Sequence, residues 1–474
     1  MTTNLTRGNP TKNLLLFTVP FLIGNLFQQL YNIADMVIVG RVLSPTAYAA
    51  VGAVGSLVWF ASGAMSALAI GFSMVTARYF GAEDEEGVKK SVASAVKLAL
   101  TIAVMFSALC LLIAHPVLEL LKYPVDIIDR SYRYLIWILL GLVTTVFYHL
   151  FANMLRALGD SKTPLYFQVI ACVANIILDY AFIVFFGMDT DGAGLATVLA
   201  QLLSAVLCVW RIYRRYPALH VERRHFVSDR IMNRDLLKTG LPMVCLTLVV
   251  SSGSIMVQTA TNRMGTLYVT AQTTGSKIEN IAVQPIMSLS SALSVFAAQN
   301  FGAKQYGRVL QGVRSALLLG YCWYALAVSV VILLGKPIVR LLVGSITVDV
   351  VNNAYRYAAI TVALSALLIP VVMFKCVLQA TDRPLWPMIS GFTEIVGRVG
   401  LSVLTILWMQ TELFGTSISE QTGFNYMCFA NPCAWLICLL TVLPSFVTMS
   451  RCFRRKKTEE KPVQKGESYV SFSD

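Results

Sequence analysis

The chain has 474 residues, of which 56% are hydrophobic and 13% charged, and it carries a formal net charge of +13 at pH 7. No polar stretch is long enough to clothe a separate water-soluble domain, which excludes an ordinary globular architecture. The positive charge does not point to nucleic acid, because it is concentrated in the connections between apolar runs, and the ten cysteines lie scattered without paired metal-ligand spacing.

Taken in chain order, runs of about 20 apolar residues recur, each long enough to cross a hydrocarbon layer roughly 30 Å thick. They predict spans at 14–39, 47–72, 92–114, 132–155, 164–186, 193–213, 236–261, 268–298, 312–334, 354–379, 386–410 and 424–448. The expected fold is all-α integral membrane, with twelve transmembrane helices. The first run exceeds a signal-peptide core and has no clear small-residue cleavage site after it, so it is expected to be retained. The expected division is an amino-terminal segment 1–13, a first lobe 14–213, a basic linker 214–235, a second lobe 236–448 and a tail 449–474, basic at first and polar and disordered from Thr458. Arg211, Arg214, Arg215, Arg223, Arg224, Arg230, Arg234 and Lys238 cluster around the linker, and Arg451 to Lys457 follow the last span. Under the positive-inside rule both termini face the cytoplasm, in a multi-pass plasma or inner membrane protein, beside anionic lipid.

At an offset of about 220 residues the chain repeats itself. Leu14-Leu15 and Pro20 fall on Leu236-Leu237 and Pro242; Tyr48 with Gly55-Ser56 falls on Tyr268 with Gly275-Ser276; Phe80-Gly81-Ala82 and Gly87 fall on Phe301-Gly302-Ala303 and Gly307. Asp160 through Pro164 matches Asp382 through Pro384 with a one-residue gap. Six spans separate equivalent points, so the two six-helix repeats enter the membrane in the same direction, related by a parallel pseudo-two-fold axis, a plan that several secondary transporters use.

Polar residues within the apolar runs are the candidate site. Asp35 and Asp179 each stand in a span where an aspartate costs about 2.5–3.5 kcal/mol on insertion scales. Both lie about two turns below the outer ends of their spans, at one level. Asn175 shares the face of Asp179, and Asn32 precedes Asp35 by three residues. Their oxygens suit a proton or a hard cation such as sodium, and two carboxylates in a poorly hydrated pocket cannot both stay charged easily. The alternative is a structural hydrogen-bond network between two helices. Pro20 and Pro242 can bend their helices or be tolerated packing, and the same ambiguity holds for Pro285 and Pro370. Glu394 and Arg398 are expected to pair at i,i+4, with Arg398 the sole arginine deep in a span. Lys277 and Glu279 point to different faces, and either could line a cavity. His149 reads as a packed polar residue, and Lys97 and Lys375 are expected to snorkel.

These residues, with Val19-Pro20-Phe21, Tyr31 through Asp35, the Phe-Gly-Ala turns and Leu155-Arg156-Ala157-Leu158-Gly159-Asp160, resemble the MATE (multidrug and toxic compound extrusion) family, and its DinF-like branch more than NorM. The resemblance covers roughly residues 10–450. It implies a V-shaped pair of lobes exporting cationic, amphipathic drugs in exchange for protons or sodium, acting as a monomer with no cofactor and no metal. On it Asp35, Asn175 and Asp179 match the amino-lobe cation site, and Pro20 the proline linked to first-span bending. The NorM-like sodium site uses a glutamate on the seventh span, where the nearby position here is Gln258. A lipid-linked precursor flippase is the rival transporter; a membrane lipid-modifying enzyme lacks a catalytic constellation in this sequence.

Overall fold

The computed structural model describes residues 4–121, 123–227, 229–343, 347–411 and 418–459. The side chain of Asn32 and the residues of the tail from 460 onward lie outside them.

Long helices begin where a polar cap follows a connection. Asn9 accepts from the backbone N–H groups of Thr11 and Lys12 at the start of α1 (Pro10–Ile38). Ser44, Asp84 and Asp229 cap α2 (Pro45–Gly81), α3 (Glu85–Leu120) and α8 (Arg230–Asn262) in the same way. Between them run α4 (Val125–Leu140), α5 (Leu142–Ala157), α6 (Lys162–Tyr180) and α7 (Thr190–Arg215). The second half continues with α9 (Thr266–Gly302), α10 (Tyr306–Val343), α11 (Val348–Leu364), α12 (Leu368–Ala380), α13 (Leu385–Gln410), α14 (Glu420–Met427) and α15 (Ala430–Glu459). Because capping happens in the polar layer, helices overshoot the apolar runs: the first extends over Pro10–Leu43 where the hydropathy outlines 14–39.

Among the described residues ten helices are long and apolar enough to cross a membrane, and two bent pairs, each counted as one span, bring the number to twelve. The pairs occupy equivalent places in the two halves, α4 with α5 at 45° and α11 with α12 at 52°. Both were expected as single spans. The tail helix reaches Glu459, so Thr458 is helical.

The halves meet along α1 and α2 of the first against α8 and α9 of the second. Their hydrogen bonds and ion pairs gather on the face that carries the amino terminus. Leu5 N–H donates to Gln299 Oε1 at 3.2 Å, and Gln299 Nε2 donates to the Ala157 carbonyl at 2.7 Å. Arg78 donates to Thr239 at 2.9 Å and pairs with Asp382 at 3.4 Å. Backbones touch here: a Cβ on Gly81 would overlap the Gln299 carbonyl, and one on Gly302 the Arg78 carbonyl. Asn25 Nδ2 to Ser288 Oγ, at 3.1 Å, crosses further in. On the opposite face the bonds among the described residues stay within one half, such as Arg130 to Asp189 at 2.8 Å and Arg356 to Asn425 at 2.7 Å.

Candidate functional site

Asp35 and Asp179 come together. α1 packs on α6 and α6 on α7, bringing the carboxyl groups within hydrogen-bonding reach of one another. Asp35 is 5% exposed, and Asn175 and Asp179 are fully buried. Tyr31, one turn before Asp35, and Thr197 of α7 add hydroxyls, and Tyr134 of α4 lies near. Asp35 Oδ1, both carboxylate oxygens of Asp179, both side-chain polar atoms of Asn175, the Tyr31 hydroxyl and the Thr197 hydroxyl are all buried without a hydrogen-bond partner. Each orphaned group of this kind costs about 1–3 kcal/mol. Two ionised carboxylates so close would repel by about 5 kcal/mol at an effective dielectric constant near 20. The donors are hard oxygens, which fit a proton or an alkali cation. Among the described residues no group of three or more His, Cys, Asp or Glu side chains could hold a metal ion.

Directly beyond each aspartate the helix loosens. α1 passes into a π-helical turn at Val39–Leu43 and α6 into another at Ala181–Phe185. Such turns concentrate at functional sites. Neither they nor the two hydroxyls at Tyr31 and Thr197 were read from the sequence: Tyr31 had only its one-turn spacing from Asp35, and Thr197 comes from a different helix.

A small cavity of about 40 Å³ touches Tyr31 and is lined also by Gln28, His149, Gln168 and Gln201. That is room for a water or two. It shares Gln28, Tyr148, His149 and Gln168 with a larger cavity of about 150 Å³ between the halves. His149 therefore borders both cavities. In the larger one the charged side chain is Arg156, whose guanidinium stacks on the Phe21 ring at 4.5 Å and donates to Asn153 Oδ1 at 3.1 Å. Arg398 is thus not alone among arginines reaching inward. Side chains on a helix tilt toward its amino terminus; α5 ends on the amino-terminal face, so Arg156 leans into the membrane.

In the second half Glu394 and Arg398 pair at 2.9 Å, as expected. Lys375 does not snorkel. It is buried and meets Glu394 at 2.8 Å, because α12, like α5, ends on the amino-terminal face and directs the side chain inward. Arg398 also donates to the Val250 carbonyl and Ser254 Oγ, both at 3.1 Å. Glu279 does not line the cleft; it is 8% exposed inside the second half, accepting from the Tyr357 hydroxyl at 3.3 Å and Asn431 Nδ2 at 3.4 Å. Lys277 is exposed, and helical spacing puts it on one face of α9 with Ser288, which bonds α1. Gln258 is half-buried and donates to Asn262 at 3.0 Å. α1 runs helical through the buried Pro20.

The MatE family model matches the chain twice, at residues 20–181 and 242–404, once in each half. The chain is 25% identical over 421 residues to the probable multidrug resistance protein YoeA of Bacillus subtilis (strain 168), covering 87% of this chain and 90% of that one. It is 23% identical over 389 residues to a protein of Shewanella oneidensis named FAD transporter, covering 81% and 85%. Its fold is similar to that of a solved multidrug resistance MATE family transporter of the MOP superfamily in an outward-facing conformation, with a TM-score of 0.84 at 21% identity over 95% of this chain and 99% of that one.

Proposed function

The chain belongs to the MatE family of membrane transporters, and from that premise we propose that it is a multidrug efflux antiporter, exporting amphipathic small molecules in exchange for protons or sodium held by Asp35, Asn175 and Asp179. The observation that carries this reading is the cluster of buried, unpartnered oxygens around two facing aspartates. A cluster of that kind is stable only with a proton or cation shared among its members.

Tyr31 and Thr197 complete the oxygen set. With the ion absent the two carboxylates repel and the α1–α6 contact loosens; with it bound they draw together, and the π-helical turns beyond them are the compliant segments. Pro20, which removes one backbone bond from α1, is the place where that helix bends. Exchange follows when the ion and the substrate stabilise different arrangements of the two halves, since a ligand shifts an equilibrium only through its differential affinity. The positive-inside distribution supports a cytoplasmic amino-terminal face, and on this reading the protein works as a monomer in the plasma or inner membrane. The resemblance implies cationic substrates, while one relative bears the name FAD transporter, so the test panel carries anions as well.

The deciding experiment is transport by the reconstituted protein under separately imposed proton and sodium gradients. Asp35→Asn is expected to abolish gradient-driven export and substrate-driven ion movement, and coupling at the wild-type level in that variant would overturn the proposal. The gradient that drives the wild type names the ion.

A further inference from the structure

We infer that the cavity around Arg156 receives the anionic group, a carboxylate, sulfonate or phosphate, of an amphiphile whose remainder lies in the cleft between the two halves. The inference rests on the reading of the cleft as the transport path and names the substrate chemistry of that path.

An arginine stays charged in any protein environment, and one inside a membrane span marks a binding role unless it has a partner. Arg156 has no ion pair among the described residues. One guanidinium nitrogen donates to Asn153 and the plane lies on Phe21, while Nε is buried with no acceptor. Stacking and the single bond fix the orientation of a fork whose remaining N–H groups match the two oxygens of an anion. No carboxylate lines the cavity among the described residues; its other polar walls include Asn25, His149 and Gln168. Amide and imidazole N–H groups also suit an anion's lone pairs. Arg398 differs, because it has an ion-pair partner inside its own half, Glu394 at 2.9 Å. Further up the cleft face of α9, exposed Lys277 forms no ion pair among the described residues and extends the positive lining.

Size limits the group that enters. A volume of about 150 Å³ is that of an engineered cavity that accepts benzene, so it takes a benzoate or a phosphate group while the rest of the amphiphile stays in the cleft.

The test uses the full chain in phosphatidylcholine nanodiscs with no ion gradient, so its result is independent of whether Asp35 and Asp179 hold the coupling ion. Binding is measured by fluorescence anisotropy for two xanthene dyes of opposite charge: fluorescein, with a free benzoate, and rhodamine 6G, with that carboxyl esterified and a net positive charge. The wild type is expected to bind fluorescein more tightly. Arg156→Gln should weaken fluorescein by at least about tenfold, the scale of one lost charge-assisted fork, without weakening rhodamine 6G; Arg156→Lys should fall between, keeping charge without the fork. Phosphatidylglycerol added to the nanodisc separates the sources: displacement of fluorescein identifies a lipid headgroup as the guest, and persistence identifies a soluble amphiphile, both within the proposed chemistry. Preference of the wild type for rhodamine 6G, or full fluorescein affinity in Arg156→Gln, overturns the inference. Should Arg156→Gln fail to fold, the wild-type dye preference and the response to Asn153→Ala, a several-fold loss for fluorescein alone, decide it.

Discussion

Glu394 lies 5% exposed between Lys375 at 2.8 Å and Arg398 at 2.9 Å. Removing its charge leaves two buried cations facing each other, so Glu394→Gln is expected to destabilise the protein by about 3 kcal/mol. Thermal unfolding in detergent would register this as a lowered midpoint, and an unchanged midpoint would refute the arrangement. At this scale the sequence was partly legible. An aspartate in an apolar run announces itself, and Asp35 and Asp179 did so; the spacing of Glu394 and Arg398 also predicted their bond. Lys375 and Arg156 turn inward for one shared reason. Position along a span suggests an interfacial cation at Lys375, but both residues belong to helices that end on the amino-terminal face, and the backward tilt of helical side chains turns them inward. Lys97, on a helix that begins at that face, stays exposed. Direction of travel, available from the span count, was the signal that could have separated the three. Tyr31 and Thr197 are different: what joins them to the aspartates is the packing of α1, α6 and α7, which no local pattern encodes.

The bent fourth and tenth spans show what an element owes to its neighbours. Hydropathy sees an unbroken apolar run through each. At Gly141, between α4 and α5, a Cβ would overlap Val198 of α7, so that helix presses close against the bend. Gly141→Ala is expected to lower the unfolding midpoint, and a second change, Val198→Ala, to restore most of it; failure of the pair to rescue would show that the glycine acts through its backbone alone. In the other half Pro370 leaves the Ala366 carbonyl without its helical donor, and the Tyr321 hydroxyl reaches that oxygen at 3.4 Å, while Tyr324 donates to Ala363 at 2.7 Å. The ambiguity attached to Pro370 in the sequence is thereby resolved as a break whose loose carbonyls are recaptured by α10. Tyr324→Phe should cost about 1 kcal/mol, the net worth of one buried hydrogen bond, read as a reduced unfolding midpoint.

The duplicated plan of the molecule was legible because two collinear halves leave matching marks along the chain. Their unequal contents were only half visible: the first holds a pair of orphaned carboxylates, the second a carboxylate clamped between two cations of its own half. The relative tilt of the halves was not encoded in any periodicity. At the joint between them, Gly81 and Gly302 each lie beside a carbonyl of the other half. A methyl group at either position is expected to disfavour closure of the amino-terminal face. Spin labels on that face of the two halves should move apart in Gly81→Ala and in Gly302→Ala, and unchanged distances would show that the contact does not hold the halves.

That seal sets main chain against main chain at Gly81 and Gly302 and ties the Arg78 and Gln299 side chains across it. A rotation of either half therefore breaks backbone contact and side-chain bonds together, which leaves little room for a partly engaged state. In the antiport cycle proposed above, such a joint keeps the driving gradient from leaking away between cycles.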